Sequence, residues 1–216
     1  MKKILITGAF GFIGSHLTEM LVKKGYNVIA FDRYNANNDY GWLNNSAFKN
    51  DIEFSLGDIR DYDSVYKVLK KSSTVFHLAA LIGIPYSYIS PLAYIRTNIE
   101  GTYNILESAK NLNIKNIILT STSEVYGSAI EKPIKESHRL VGQSPYSASK
   151  ISADQIGLSY FNSFDLPIKI ARPFNVYGPR QSTRAIIPTI INQLLSNSKS
   201  IKLGNIDTKR DYTYVT

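Results

Sequence analysis

Lys3-Ile4-Leu5-Ile6-Thr7-Gly8-Ala9-Phe10-Gly11-Phe12-Ile13-Gly14, followed after a helical stretch by Val28-Ile29-Ala30-Phe31-Asp32, is the sequence that decides the fold. Residues 4–7 are short, apolar and β-branched, the composition of a buried parallel strand. Three glycines at spacing three follow at once. The first permits a tight turn out of the strand, the second lets a pyrophosphate approach the backbone, and the third lets a helix pack closely on the sheet. Ile13, Leu17, Met20 and Leu21 recur at i, i+4, i+7 and i+8, which makes one apolar helical stripe, and Gly25 supplies its stop. A second strand then ends in Asp32, 18 residues after Gly14. A carboxylate there accepts hydrogen bonds from a ribose 2′-OH and repels a 2′-phosphate, so the pattern points to NAD rather than NADP. Arg33 beside it weakens that discrimination. Taken alone, the glycines fit a simple turn and Asp32 a cap; their order between strand, helix and strand favours a dinucleotide.

Outward from this clamp the alternation continues. Apolar strand-like runs lie at 52–56, 74–78, 117–121 and 168–171, and helical patterns at 62–71, 91–111 and 146–164. Such alternation demands a parallel sheet covered on both faces, so the expected class is α/β, a Rossmann-like doubly wound parallel sheet. Residues 1–172 are expected to form the NAD-binding domain and 173–216 the beginning of a substrate-binding region. That second stretch offers one helix, 186–195, and two strand-like pieces, 200–203 and 212–215. The chain stops inside the second piece, which predicts a truncated substrate domain. Residues 34–50 read as a long polar loop carrying Tyr34, Tyr40, Trp42 and Phe48.

With 216 residues, 44% hydrophobic and 19% charged, the chain has an ordinary globular composition. It has no run of about 18 apolar residues and no signal-peptide pattern, so a soluble, cytoplasmic protein is expected. Lacking cysteine, it can use neither disulfides nor thiolates. The net charge of +8 comes from scattered lysines without an arginine-rich arm, which argues against a nucleic-acid partner and fits attraction of an anionic small molecule. His16, His77 and His138 show no metal-ligand spacing, and His77, closing a strand, reads as structural.

Two segments carry chemistry. Tyr146 and Lys150 share a helical face at i and i+4. Moving a phenol from a pKa near 10 to about 7 takes roughly 4 kcal/mol, which a neighbouring ammonium and a cationic nicotinamide could supply. Thr122-Ser123-Glu124 follows a strand at the carboxyl edge of the sheet, where doubly wound folds place their ligands. By themselves the first pair fits an exposed helix face and the second a capped turn.

Together, Gly8-x-x-Gly11-x-x-Gly14, Asp58-Ile59, His77-Leu78-Ala79-Ala80, Ser121-Thr122-Ser123-Glu124-Val125-Tyr126-Gly127, Tyr146-x-x-x-Lys150 and Arg172-Pro173-Phe174-Asn175 resemble the extended short-chain dehydrogenase/reductase family of NAD-dependent epimerases and dehydratases. Within it, the loop from Tyr34 to Asn45 with its Gly41-Trp42-Leu43, the run from Ala80 to Tyr88, and the stretch from Gln143-Ser144-Pro145-Tyr146 through Gly178-Pro179-Arg180-Gln181-Ser182 are most similar to nucleotide-sugar 4,6-dehydratases that start legionaminic acid synthesis from UDP- or GDP-N-acetylglucosamine.

The resemblance implies that Tyr146 takes the proton of the sugar C4 hydroxyl while hydride leaves C4 for NAD⁺. Lys150 would hold the ribose and lower the phenol pKa, and Thr122 would bind the C4 oxygen. Glu124 would then remove the C5 proton, water would leave from C6, and the hydride would return there. Many relatives carry an acidic Asp where this chain has Ser123. Serine cannot do that work, so Glu124 would also carry its proton to the leaving oxygen. Cofactor contacts are implied for Gly8, Phe10, Gly11, Phe12, Ile13, Gly14, Asp32, Arg33, Asp58, Ile59, Leu78, Ala79, Ala80, Asn98, Thr120, Tyr146, Lys150 and Pro173. Substrate contacts are implied for Tyr86, Thr122, Asn175 and Arg184. A nucleotide-sugar partner and a homodimer formed through helices 91–111 and 146–164 complete the expectation. A 4-epimerase, a UDP-glucuronate decarboxylase, and a non-enzymatic NAD-, nucleotide- or RNA-binding relative remain as alternatives.

Overall fold

A computed structural model describes residues 3–196 and 200–216. Six strands form one parallel sheet in the order β3-β2-β1-β4-β5-β6: β1 (Lys3–Thr7), β2 (Val28–Arg33), β3 (Ile52–Gly57), β4 (Ser72–His77), β5 (Asn116–Thr120) and β6 (Ile168–Ala171). The direction of winding reverses between β1 and β4, and this switch point opens the crevice in which such sheets bind ligands. Register is set by apolar runs. Leu5 pairs with Ile29 on one side and with Val75 on the other, and all three are fully buried.

Helices cover both faces, as two buried clusters show. One face joins Ile6, Ala30 and Leu21 beneath α1 (Phe12–Lys23). The other joins Leu5, Val75 and Ile117 to α2 (Tyr62–Leu69), α5 (Gly101–Asn111) and α6 (Pro145–Phe164). Ser144 caps α6 in a reciprocal box with Ser147, and Pro145 occupies its first turn. Among the described residues no helix is long and apolar enough to cross a membrane.

Four elements differ from expectation. The single helix predicted for 91–111 is α4 (Pro91–Tyr94), a π-helical segment (Ile95–Glu100) and α5 in continuous succession. The short helix α3 (Ile84–Ile89) precedes it, where Pro85 supplies a first-turn start. Residues 200–203 form no strand, because Gln193 takes both backbone groups of Lys202: its amide donates to the Lys202 carbonyl (3.0 Å) and its Oε1 accepts from the Lys202 N–H (2.7 Å). A ladder instead joins β7 (Asn175–Tyr177) to β8 (Tyr212–Tyr214) in parallel. The helix expected at 186–195 is present as α7 (Ile186–Leu195). The long loop is ordered by two 3₁₀ turns, with Leu43 fully buried and Tyr40 stacked on Phe54 at 4.0 Å.

His77 closes β4 in the core, 3% exposed. Thr7 Oγ1 accepts from the Ala79 N–H and lies 2.8 Å from His77 Nδ1, to which its hydroxyl donates in the neutral ring. The Thr102 hydroxyl donates to the Asn98 carbonyl, which leaves its oxygen to accept from Nε2–H at 3.3 Å. The ring is neutral because burial, with the Lys150 charge nearby, lowers its pKa to about 3. Above the ordinary value near 6.5 both folded and unfolded chains carry a neutral ring. Below it only the unfolded chain binds the proton, so stability falls with acid down to the folded pKa. Urea unfolding should show His77 costing about 2 kcal/mol between pH 6.5 and 5, and His77→Gln should remove that part of the slope.

Candidate active site

A cavity of about 830 Å³ opens at the carboxyl edge across the switch point. The three glycines form one wall. Gly8 has φ +70°, and a Cβ there would meet the Ala79 nitrogen at 2.8 Å; a Cβ on Gly14 would run into the Gly8 carbonyl. Around Gly11 there is ordinary space, with no atom nearer than 3.5 Å, and the residue is exposed toward the cavity. Two glycines thus close the turn against its neighbours, while the middle one leaves bare backbone at a helix start, the geometry that suits a pyrophosphate.

Asp32 reaches the same cavity from the end of β2. Its Oδ2 accepts from the Phe10 N–H (2.9 Å) and its Oδ1 from the Arg33 N–H (2.8 Å). Burial raises its pKa, against the lowering by those two bonds and by the Arg33 charge. Opposite, Asp58 is held below the usual carboxylate range by Arg60, which forks onto both its oxygens. Gly11, Phe12, Ile13, Arg33, Ile59, Leu78, Ala79, Ala80, Thr120 and Pro173 all line the cavity. Thr7 fixes the 78–80 turn, its carbonyl accepting from Leu78 N–H and its hydroxyl oxygen from Ala79 N–H. These residues fit a dinucleotide.

Two expected cofactor residues are elsewhere. The Phe10 ring packs in the core, and only its N–H serves the site by fixing Asp32. Asn98 is 1% exposed and spends its amide internally: Oδ1 accepts from Leu81 N–H (2.8 Å), and Nδ2 donates to the Leu81 carbonyl and the Ser149 hydroxyl (both 2.9 Å). It positions the loop after β4 against α6 rather than lining the cavity.

Tyr146 and Lys150 project from α6 into the cavity. Tyr146 meets Tyr94 edge-on at 6.3 Å, and the Tyr94 hydroxyl donates to the Gly83 carbonyl at 2.6 Å. Burial raises the Tyr146 pKa; the Thr122 side chain opposes this, and the charges of Glu124 and Tyr94 reinforce it. Lys150 Nζ donates to the Thr120 carbonyl at 2.6 Å, and burial lowers its pKa to about 8 against the pull of Asp154. In the free protein burial outweighs the lowering of the phenol pKa, and Lys150 is itself pushed toward its neutral form.

Thr122 lines the cavity and caps the 3₁₀ turn Ser123–Tyr126, its Oγ1 accepting from the Glu124 N–H at 3.2 Å. The expected catalytic residues Ser123 and Glu124 do not line the cavity: the Ser123 N–H is tied to the Pro173 carbonyl, and Glu124, half-buried in the same turn, acts by its charge on Tyr146. Of the expected substrate residues, Tyr86 and Thr122 line the cavity; Asn175, in β7, and the exposed Arg184 do not. Sequence reasoning missed Thr97, Gln181, Ser182 and Ala185 in the walls. The Gly178-Pro179-Arg180 segment was the available signal for the last three. It is pinned across α1, where Arg180 pairs with Glu19 at 2.8 Å and His16 Nε2 donates to the Pro179 carbonyl at 3.1 Å.

A doubly wound parallel sheet, a glycine cradle at its switch point and a Tyr-x-x-x-Lys helix facing it define an extended short-chain dehydrogenase/reductase. More narrowly, the chain belongs to the GDP-mannose 4,6 dehydratase family, whose model matches residues 5–216. It is 36% identical to a dTDP-D-glucose 4,6-dehydratase of Dictyostelium discoideum, over 100% of this chain and 53% of that protein. It is 34% identical to a UDP-N-acetyl-alpha-D-glucosaminuronate decarboxylase of Bacillus cytotoxicus, over 100% of this chain and 68% of that one. The Bacillus cereus UDP-glucuronic acid 4-epimerase, solved with UDP-glucuronic acid and NAD, superposes with a TM-score of 0.87 at 33% identity, covering 99% of this chain and 69% of its own. The chain thus spans between about half and two thirds of these relatives' length.

The glycine geometry separates binding from folding. Gly11→Ala should keep its urea midpoint while losing dinucleotide affinity about tenfold or more in a fluorescence titration, whereas Gly14→Ala should lose about 2 kcal/mol of stability.

Proposed function

We propose that this chain carries the NAD-binding and catalytic part of a nucleotide-sugar 4,6-dehydratase acting on a nucleotide-activated N-acetylhexosamine. The observation that supports the reading is that Glu124, in the turn capped by Thr122, acts by its charge on Tyr146. Oxidation at C4 needs Tyr146 and Lys150 alone; elimination across C5–C6 needs a further proton carrier, and Glu124 is that carrier. The preference for an N-acetylhexosamine rests on the motif resemblance.

The glycine wall, Asp32 and the 78–80 turn hold the dinucleotide, Asp32 accepting from the adenosine ribose. NAD, when bound, supplies the hydride store that takes hydride from C4 and gives it back at C6. Tyr146 accepts the C4 hydroxyl proton, with the Thr122 hydroxyl on the same oxygen. Because burial holds the phenol neutral in the free protein, its activation awaits the positive charge that accompanies the oxidised cofactor. The 4-ketone acidifies the C5 proton, which Glu124 removes. Ser123 cannot act as an acid near neutrality, so Glu124 delivers the proton to the departing C6 oxygen.

A 4-epimerase or decarboxylase is the second reading, favoured by the similarity to the two enzymes of those kinds. Exposed Tyr103 on α5 and Leu158, Phe161 and Phe164 on α6 support pairing of two copies through these helices.

Incubated with NAD⁺ and UDP-, GDP- and dTDP-hexosamines, the protein should release one water per sugar, read by mass spectrometry. An isomer of unchanged mass, or carbon dioxide release from UDP-glucuronic acid offered in a parallel incubation, would replace the dehydratase by the second reading. Glu124→Gln should slow water loss about 10³-fold and still reduce the nicotinamide, while Tyr146→Phe should abolish both.

A further inference from the structure

Behind Lys150 lies a charge pair, its acid buried and its base partly so, that the proposed chemistry does not use. Asp154 stands one turn further along α6 and is 2% exposed. Its Oδ2 accepts from Arg172 Nε at 2.9 Å. Arg172, just after β6, donates from NH1 to the Tyr126 hydroxyl at 3.2 Å, and its guanidinium lies 5.2 Å from the centre of the Tyr126 ring. Tyr126 is 3% exposed and ends the turn that bears Glu124. One continuous chain of contacts therefore runs from the helix of Tyr146 and Lys150, through Asp154 and Arg172, to the turn of Thr122 and Glu124.

Burying such a pair gains little stability over an apolar pair of the same shape. Its location is what distinguishes it. We infer that Asp154 and Arg172 are positioning residues: Asp154 holds the charge on the Lys150 ammonium, and Arg172 both balances Asp154 and ties the Glu124 turn to α6.

The groups facing Lys150 support this assignment. From β5 comes only the Thr120 carbonyl, and from β4 His77, which is neutral above about pH 3. On its own helix stand Tyr146, neutral in the free protein, and Asp154, the anion that among the described residues acts on the ammonium and opposes its desolvation. Tyr94 and Glu124 act on Tyr146 rather than on Lys150. Behind the pair, Glu136 shares a small cavity of about 280 Å³ with Arg172. Removing Asp154 takes away attraction and leaves Arg172 uncompensated, so Lys150 deprotonates at lower pH. Removing Arg172 frees the full charge of Asp154, so Lys150 deprotonates at higher pH. Loosened packing would move both variants in the same direction.

The direct measurement is the ¹⁵N titration of Lys150 Nζ in the free protein, assigned with Lys150→Arg. This readout needs no cofactor and is independent of the proposed function. From a wild-type midpoint near 8, Asp154→Asn should move it down by about one pH unit and Arg172→Met up by a similar amount. The double variant should return toward the wild type, and Asp154→Glu should stay near it. NAD affinity against pH, which rests on the proposed function, should lose its alkaline limb at the same shifted midpoints. Circular dichroism screens each variant for folding, and if Asp154→Asn does not fold, Arg172→Met and Asp154→Glu carry the test. Shifts of both single variants in one direction, or no shift in either, overturn the inference. Correct opposite shifts without any NAD binding by the wild type would uphold the inference and sink the proposed function.

Discussion

The closeness of three backbones around the turn after β1 governs the rest of the molecule. Gly8 meets the segment that follows β4, Gly14 meets the Gly8 carbonyl, and neither position has room for a side chain. Only because these backbones touch can α1 start directly over the sheet edge, with its first N–H groups facing the crevice. The same closeness delivers Phe10 to Asp32 and Thr7 to the 78–80 turn. One wall of the cavity is thereby fixed by main-chain geometry, and the opposite wall by side chains of α6.

Electrostatics divide the two walls further. The acidic groups at the β2–β3 end of the cavity, Asp32 and Asp58, are satisfied by backbone N–H groups and by Arg60. At the α6 end, desolvation pushes Tyr146 and Lys150 toward their neutral forms. A group with a raised pKa gives up its proton only when positive charge arrives beside it.

Much of this was legible in the sequence because it depends on local pattern. Apolar runs gave all six strands of the main sheet, and the Tyr146–Lys150 spacing placed both residues on one helical face. What escaped depends on contacts between distant residues. No periodicity shows that Gln193 takes the backbone of Lys202, or that β7 finds β8 some 35 residues later. The side chains of Phe10 and Asn98, expected at the cofactor, do not line the cavity, for a related reason. Their neighbours in sequence touch the site while their own side chains turn into the core. The electrostatic state of Lys150 was equally hidden, since it depends on burial and on Asp154 rather than on spacing from Tyr146.

The π-helical segment Ile95–Glu100 gives a last example of distant contact overriding local pattern. It inserts one residue more than an α-helix of the same rise would hold, so the helix on either side is turned by about 100° relative to an unbroken one. On its far side Thr102 meets His77 and Asn104 donates to the Ile59 carbonyl; on its near side Tyr94 meets Tyr146. Both sets are correctly aimed only with the extra residue in place. Excising any one residue there would restore a regular helix and swing Tyr94 away from the phenol. The irregular turn thus acts as a phase adjuster between the sheet and the reacting helix, so chain length in this segment is as constrained as residue identity in the site.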